Sequence, residues 1–173
     1  LFSHAKKIIP AIVEFVDIAG LVKGAAEGEG LGNKFLTHIR QMDAIVHVVR
    51  VFEDPDITHV AGTPHPLSDI EIIEYELALK DLETVHKRLM TLKTDVHARR
   101  KGAKEEQILF QQIEQKLQKG IAVSRMGLQT NADMRAALNG LQLLTAKPII
   151  YVCNVSERQI QNDWQPDATL AAH

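Results

Sequence analysis

The sequence has little cysteine and no long apolar run. Cys153 is the one cysteine among 173 residues, so no disulfide can form within the chain, as is usual in a reducing compartment. No stretch is long and apolar enough to span a bilayer. The net charge of −2 gives no general attraction to nucleic acid or to membranes, although it leaves room for a local basic patch. We expect a cytoplasmic protein whose partners include neither a membrane nor specific DNA.

The sequence also lacks Gly-x-x-x-x-Gly-Lys-[Ser/Thr], the loop that cradles nucleotide phosphates. The chain begins at Leu1 in the middle of a pattern, and we expect it to be part of a longer protein. Its composition, 45% hydrophobic and 24% charged, is that of a globular protein. The length suits one domain, or a small domain with an insertion.

The most informative stretch is an apolar run at residues 12–16 that ends in Asp17 and Gly20. The run predicts a buried strand. An acid at the end of such a strand can support Mg²⁺, and a glycine after it lets a backbone N–H approach a γ-phosphate. A strand that simply ends in a turn would explain the same residues.

Two more apolar runs, at residues 44–52 and 149–153, predict strands separated from the first by helical patterns. This alternation predicts a parallel sheet in an α/β fold. Ligands in such folds bind at the carboxyl ends of strands, where Asp17, the loop after Phe52 and Asn154 would lie. His47 is inside the second run and is interpreted as a core histidine rather than a ligand.

Two long helical patterns lie between the second and third strands. The first begins at Ser68 with a capping box, Ser68-x-x-Glu71, and continues to Gly102. The second continues to about Ile121, so the pair predicts an αα-hairpin whose apolar stripes form its own seam. Basic residues at its tip are either ordinary solvated charge or a contact for phosphate-rich partners: Arg99, Arg100, Lys101 and Lys104. A shorter helical pattern at residues 134–144 precedes the third strand.

Residues 15–25 read Phe-Val-Asp-Ile-Ala-Gly-Leu-Val-Lys-Gly-Ala, followed by Gly-Leu-Gly-Asn-Lys-Phe-Leu at 30–36. This stretch closely resembles the second switch of the Obg-related P-loop NTPases, and it fits the YchF / Obg-like ATPase family best. The resemblance extends from Phe15 to about Glu157 and is weakest in the hairpin.

The resemblance implies a role for several residues. Asp17 corresponds to the acid that supports Mg²⁺, and Gly20 to the sensor of the γ-phosphate. Leu21 stands where Ras-like enzymes have a glutamine that orients the attacking water. In the YchF-like family the candidate to replace it is a histidine on the loop after the next strand, which matches His59. An isolated loop histidine would otherwise be a solvated bystander.

The base-reading position carries Asn154, Val155 and Glu157 where GTPases have Asn-Lys-x-Asp. The aspartate of GTPases accepts two hydrogen bonds from guanine. A glutamate is one methylene longer and does not fit that pairing, so the family resemblance implies ATP rather than GTP as the preferred substrate.

By resemblance, the fold is part of a GTPase-like parallel sheet of a P-loop NTPase with an inserted helical coiled-coil hairpin. Residues 1–66 would form part of the nucleotide-binding domain, 67–146 the hairpin and return helix, and 147–173 the strand with the base-reading motif. The family's phosphate-binding loop and its strand are absent from the chain, as is the TGS domain. In the family that strand lies between the strands that end at Asp17 and Phe52.

The function that the resemblance implies is a regulatory switch that binds and hydrolyses ATP with Mg²⁺ and associates with the ribosome or another translation-related complex. One alternative is an Obg-type GTPase, and another is a non-catalytic helical interaction module. Because no phosphate-binding loop is present, we expect this chain by itself to hydrolyse neither nucleotide.

Overall fold

The computed structural model describes residues 11–17, 38–54, 56, 64–128 and 130–171 of the chain. Their order of elements is β1 (Ile45–Arg50), α1 (Pro66–His97), α2 (Ala103–Leu117), a 3-10 turn (Val123–Arg125), α3 (Ala132–Leu141), a second 3-10 turn (Leu144–Ala146), β2 (Ile149–Asn154), α4 (Glu157–Gln161) and α5 (Ala168–Ala171). In addition, residues 38–40 are helical.

Strands β1 and β2 pair in parallel, with Ile45 opposite Ile149 and Arg50 opposite Asn154. Parallel strands need a crossover connection, and here the helices α1 to α3 supply it. The prediction of a parallel α/β sheet is therefore confirmed, and both strands begin and end within two residues of the predicted bounds.

The two faces of this sheet differ in burial. Ile45 and Ile149 pack against a small core that contains Leu77 and Leu144. On the opposite face, the successive side chains Val46, Val48, Ile150 and Val152 are exposed. The near-continuous apolar sequence predicted burial on both faces, but in the described part of the chain only one face is covered.

The prediction of a strand at residues 12–16 is wrong. Residues 11–17 have no regular secondary structure, and the side chains of Ile12 and Phe15 are 93% and 80% exposed. A strand needs a neighbour to take its backbone hydrogen bonds, and β1 and β2 form a two-stranded sheet with each other. Without a paired neighbour, the apolar run does not become a strand.

Helices α1 and α2 form the predicted hairpin. Buried side chains of α1, among them Val85 and Leu92, pack against Leu109, Phe110 and Ile113 of α2. Fully burying each such side chain stabilises the fold by about 1.5–3 kcal/mol. No helix in the described part of the chain is both long and apolar enough to cross a membrane.

Helix α1 does not begin with the predicted capping box. It starts at Pro66, with His65 as the N-cap residue, and no side chain caps it. Proline is favoured at the first helical position because its φ is already helical and it has no N–H to leave unpaired. Ser68 therefore lies inside the first turn, where it cannot act as the N-cap for Glu71.

A buried carboxylate connects the hairpin to the segment before β2. Asp81 of α1 is fully buried and accepts hydrogen bonds from the backbone N–H groups of Leu144 and Thr145 and from the Thr145 hydroxyl. The same hydroxyl accepts a bond from the N–H of Val123 at 3.1 Å. Burial raises the pKa of Asp81 above its ordinary value, and the three donors oppose that rise.

A second connection joins α1 to β2. The hydroxyl of Tyr151 donates to Oε1 of Glu74 at 2.6 Å, and Arg125 donates to the same oxygen at 2.9 Å. Burial and the Glu74 carboxylate raise the pKa of the Tyr151 phenol. Across the strands, the ring of Tyr151 contacts the ring of His47, with centroids 5.6 Å apart; His47 is half-buried rather than in the core.

Candidate functional site

The predicted base-reading residues follow directly from the end of β2. Asn154 is the last residue of the strand and is exposed, Val155 is half-buried, and Glu157 is the exposed first residue of α4. The carboxyl end of a parallel strand followed by a helix N-terminus is the usual place for a ligand in an α/β sheet. The location of these three residues therefore agrees with the predicted strand end, and their role stays a prediction.

Helix α4 starts where it does because of a reciprocal cap that sequence reasoning missed. The Ser156 hydroxyl accepts a hydrogen bond from the N–H of Gln159, and Oε1 of Gln159 accepts one from the N–H of Ser156 at 2.8 Å. Ser-x-x-Gln at this position is the sequence signature of a capping box and could have predicted the helix. The cap fixes the direction in which Glu157 leaves the strand end.

Gln159 also joins the carboxyl ends of the two strands. Its Nε2 donates to the carbonyl oxygen of Val51, immediately after β1, at 3.0 Å. The Val51 N–H in turn donates to the carbonyl oxygen of Asn154 at 3.0 Å. One side-chain amide thus connects the base-reading motif with the first residue of the loop that leads towards His59.

The beginning of that loop is organised by Arg50. Its guanidinium lies 4.6 Å from the centre of the Phe52 ring and donates to the carbonyl oxygens of Phe52 and Asp54, at 3.0 and 3.3 Å. Oδ1 of Asp54 accepts a hydrogen bond from the N–H of Asp56 at 2.9 Å, the side-chain-to-backbone contact of an Asx turn. The loop therefore leaves β1 in a defined direction. Neither His59 nor Gly20 is among the described residues.

Asp17 is the one predicted metal residue that the structure describes. It is exposed, in the segment without secondary structure. Within the described ranges, no three or more His, Cys, Asp or Glu side chains gather into a metal site. Mg²⁺ often uses one or two carboxylates and completes its octahedron with water and substrate phosphates. The oxygen chemistry of Asp17 fits such a role, but the structure does not bring Asp17 together with the base-reading motif.

A cleft of about 600 Å³ lies between the first turn of α1 and the segment that contains α5. Trp164 and Asp167 line one side, His65 and Glu71 the other, and Val51 is also at its wall. Trp164 carries no functional pattern in the sequence. Its position beside Val51 places the tryptophan near the carboxyl end of β1.

Comparisons with known proteins identify the family of the chain. A family model described as the 50S ribosome-binding GTPase matches residues 4–94. The Ribosome-binding ATPase YchF of Bacillus subtilis (strain 168) is 46% identical over 159 residues, which are 91% of this chain and 42% of that protein. The protein of the same name from Escherichia coli O157:H7 is 43% identical over 158 residues, 91% of this chain and 43% of the relative.

A solved structure is also similar. The Schizosaccharomyces pombe YchF GTPase superposes with a TM-score of 0.66 at 41% sequence identity, covering 86% of this chain and 40% of that one. The chain thus spans about two fifths of the length of the relatives it matches.

Proposed function

This chain belongs to the YchF family, and we propose that it contributes the base-reading and water-positioning residues of a Mg²⁺-dependent ATPase that acts as a switch on the ribosome. The observation that carries this proposal is the junction at the carboxyl ends of β1 and β2. There the Gln159 amide donates to the Val51 carbonyl, so that residues 154–159 lie beside the first residue after β1.

The substrate base would be read by Asn154, Val155 and Glu157. By resemblance, Glu157 corresponds to the aspartate with which a GTPase binds guanine, and its side chain is one methylene longer. Val155 corresponds to the lysine of the same motif. Both changes remove contacts to guanine, and adenine could be held by backbone groups at the same strand end. Gly20 would give its N–H to the γ-phosphate, where no Cβ blocks the approach.

Hydrolysis needs a group that orients water, and Leu21 cannot form the necessary hydrogen bond. His59 would take this role, since an imidazole with an unperturbed pKa near neutrality can orient a water or accept its proton. Asp17 would hold Mg²⁺, directly or through water, and the ion would neutralise charge on the phosphates.

The ribosome is proposed as the partner because relatives with 43–46% identity bear the name Ribosome-binding ATPase. Such a protein would work in the cytoplasm. The hairpin of α1 and α2 projects from the sheet and offers a surface separate from the nucleotide, which suits a switch that reports nucleotide state to a large partner.

The test uses the complete natural protein that contains this sequence, here called the complete protein. We expect calorimetric titration with Mg²⁺ to give tighter binding of ATP than of GTP, and sedimentation with ribosomes to depend on the bound nucleotide. Binding of neither nucleotide would favour a helical interaction module without catalysis.

A GTPase of the Obg type is the second candidate function. The observation in its favour is the description of the matching family model, and of the solved relative, as a GTPase. A clear preference for GTP in the same titration would establish it and exclude the ATPase proposal.

A further inference from the structure

The hairpin tip, residues 97–104, is a turn with a defined backbone. Arg99 and Gly102 have left-handed φ angles of 55° and 77°. The N–H of Arg100 donates to the carbonyl oxygen of Asp95 at 3.0 Å, and that of Ala103 donates to the carbonyl oxygen of Arg100 at 3.1 Å. The side chains of the tip are therefore carried on a fixed turn between α1 and α2.

The two acids beside the tip, Asp95 and Glu106, form ion pairs with Arg88 and Arg100. Arg100 donates to Asp95 at 3.0 Å and to Glu106 at 2.7 Å, and Nε of Arg88 donates to Glu106 at 2.8 Å. The side chain of Glu106 is only 10% exposed. Because Asp95 and Glu106 are engaged with Arg88 and Arg100, neither is available to neutralise the other cations of the tip.

Three cations of the tip lie outside this network of ion pairs. Arg99, Lys101 and Lys104 are exposed. Their side chains form no hydrogen bond or ion pair within the described part of the chain, although the backbone N–H of Arg99 donates to the carbonyl oxygen of Val96. Residues 97–104 include no acid, and the nearest exposed carboxylate is that of Glu105 at the start of α2. The tip is thus a compact positive surface on a chain whose net charge is −2.

This surface is far from the sheet, and its only exposed apolar side chain is the small one of Ala98. Sixteen residues of helix separate Asp81 from the end of α1, a distance of about 24 Å at 1.5 Å per residue. The tip has no large apolar side chain, and Ala103 is buried. A surface that enters membranes pairs basic residues with apolar ones. Cations without large apolar neighbours on a rigid turn suit a regular array of phosphates instead.

We propose that the hairpin tip binds the sugar–phosphate backbone of structured RNA. This inference rests on the proposed function, which brings the protein to the ribosome, and it names RNA rather than ribosomal protein as what the tip contacts there. Arg99 can form a forked pair with a phosphate, and Lys101 and Lys104 act as point charges. The contact would be independent of base sequence.

The experiment compares the complete protein with two triple variants. The tip variant carries Arg99→Gln, Lys101→Gln and Lys104→Gln. The control carries Lys87→Gln in α1, Lys119→Gln in the turn after α2 and Arg135→Gln in α3. These three exposed cations lie away from the tip in the sequence, so both variants lose the same charge. The probe is an RNA duplex of about 16 base pairs, a length that shape-reading RNA domains span. Binding is followed by fluorescence anisotropy as a function of salt, and circular dichroism checks the folding of each variant.

Three phosphate contacts contribute roughly 2–3 to the slope of log K against log salt. We expect the tip variant to lose that much slope, and the control variant to keep the slope of the parent. Equal slopes for the parent and a folded tip variant would overturn the proposal. Binding to anionic phospholipid vesicles that depends on the tip, without binding to RNA, would overturn it in favour of a membrane.

Sedimentation with ribosomes separates this proposal from the proposed function. Tip-dependent binding to the duplex supports the tip assignment even if the parent protein does not sediment with ribosomes, a result that would instead reject the proposed function. Parent protein that sediments with ribosomes but does not bind the duplex overturns the assignment to RNA and leaves the proposed function intact.

Discussion

Asp81 and Thr145 are 64 residues apart in sequence and are joined by two hydrogen bonds. The backbone N–H and the hydroxyl of Thr145 both donate to Oδ2 of Asp81 at 2.7 Å. Leu144 gives a third N–H to the other carboxylate oxygen at 2.8 Å. These bonds fix the middle of α1 against the turn that leads into β2, so Asp81 connects the hairpin to the strand whose end carries the predicted base-reading residues.

Replacing Asp81 by alanine should lower the free energy of unfolding by about 3–5 kcal/mol, because it leaves three buried donors without an acceptor. Urea denaturation measures the loss. Asp43→Ala removes an exposed carboxylate of the same kind and should change stability by no more than about 0.5 kcal/mol. A similar small change for Asp81→Ala would show that the donors find other partners.

The stability contributed by Asp81 should depend on pH. Burial raises the pKa of Asp81 above its ordinary value of 3.8, so the folded state holds the proton more tightly than the unfolded state does. The proton-linked part of the contribution is therefore complete below pH 3.8 and is lost as the pH rises through the folded-state pKa, whereas the carboxyl oxygens accept the three hydrogen bonds on both sides of it. Urea unfolding of the parent and of Asp81→Asn across this range should show the parent losing stability relative to the variant. The free energy of unfolding of the parent minus that of Asp81→Asn should fall as the pH rises. If this quantity is constant or grows, the raised pKa is contradicted.

Gln159 should stabilise the junction of the two strand ends through both atoms of its side-chain amide: Oε1 accepts from the N–H and the hydroxyl of Ser156, and Nε2 donates to the Val51 carbonyl. Gln159→Ala removes all three hydrogen bonds and should cost about 1–3 kcal/mol. Gln159→Glu keeps an acceptor for the Ser156 N–H but has no donor for the Val51 carbonyl. We expect hydrogen exchange at the Ser156 N–H to accelerate in the alanine variant and to stay slow in the glutamate variant. Equal exchange in both would show that the side chain does not cap α4.

His59→Ala should lower the rate of ATP hydrolysis by the complete protein by about 10²–10⁴-fold, the usual loss of a general acid–base group. Nucleotide affinity should change little, since the residue is proposed to act on water. Single-turnover kinetics measures the rate, and His86→Ala on the hairpin serves as the control. Hydrolysis at the parent rate would leave His59 as a bystander.

The double change Val155→Lys and Glu157→Asp should move the preference of the complete protein from ATP towards GTP. It restores the lysine and the shorter carboxylate that read guanine in GTPases. Calorimetric titration with both nucleotides measures the shift, and each single variant shows which residue carries it. An unchanged ratio of affinities would mean that the base is held mainly by backbone groups.

The elements that could be predicted from the sequence are those with a strong local pattern. The apolar runs around Val49 and Val152 predicted β1 and β2, and the period of α1 and α2 predicted the hairpin. The run at residues 12–16 has an equally strong pattern, yet it forms no strand because pairing is a property of neighbours, not of the run itself. The start of α1 was misplaced because Pro66 outweighed the Ser68 signature.

The candidate site was predictable to a smaller extent. Asn154 and Glu157 lie at a strand end, as the pattern predicted, whereas Asp17 is not brought to them. The links of Gln159 to Val51 and of Asp81 to Thr145 join residues 108 and 64 positions apart. No local window contains both members of such a pair, so these contacts could be found only from the structure.

The uninterrupted length of α1 has a mechanical consequence. The helix is fixed at Asp81 and continues for about 24 Å to the hairpin tip, so the hairpin can tilt as one body around that carboxylate. A tilt of about 10° around Asp81 would displace the tip by about 4 Å, roughly three quarters of the rise of one helical turn. Small movements of the residues at the strand ends would therefore produce larger movements of the hairpin tip. How much of the motion reaches the tip would depend on how rigidly Asp81 holds α1 against Leu144 and Thr145.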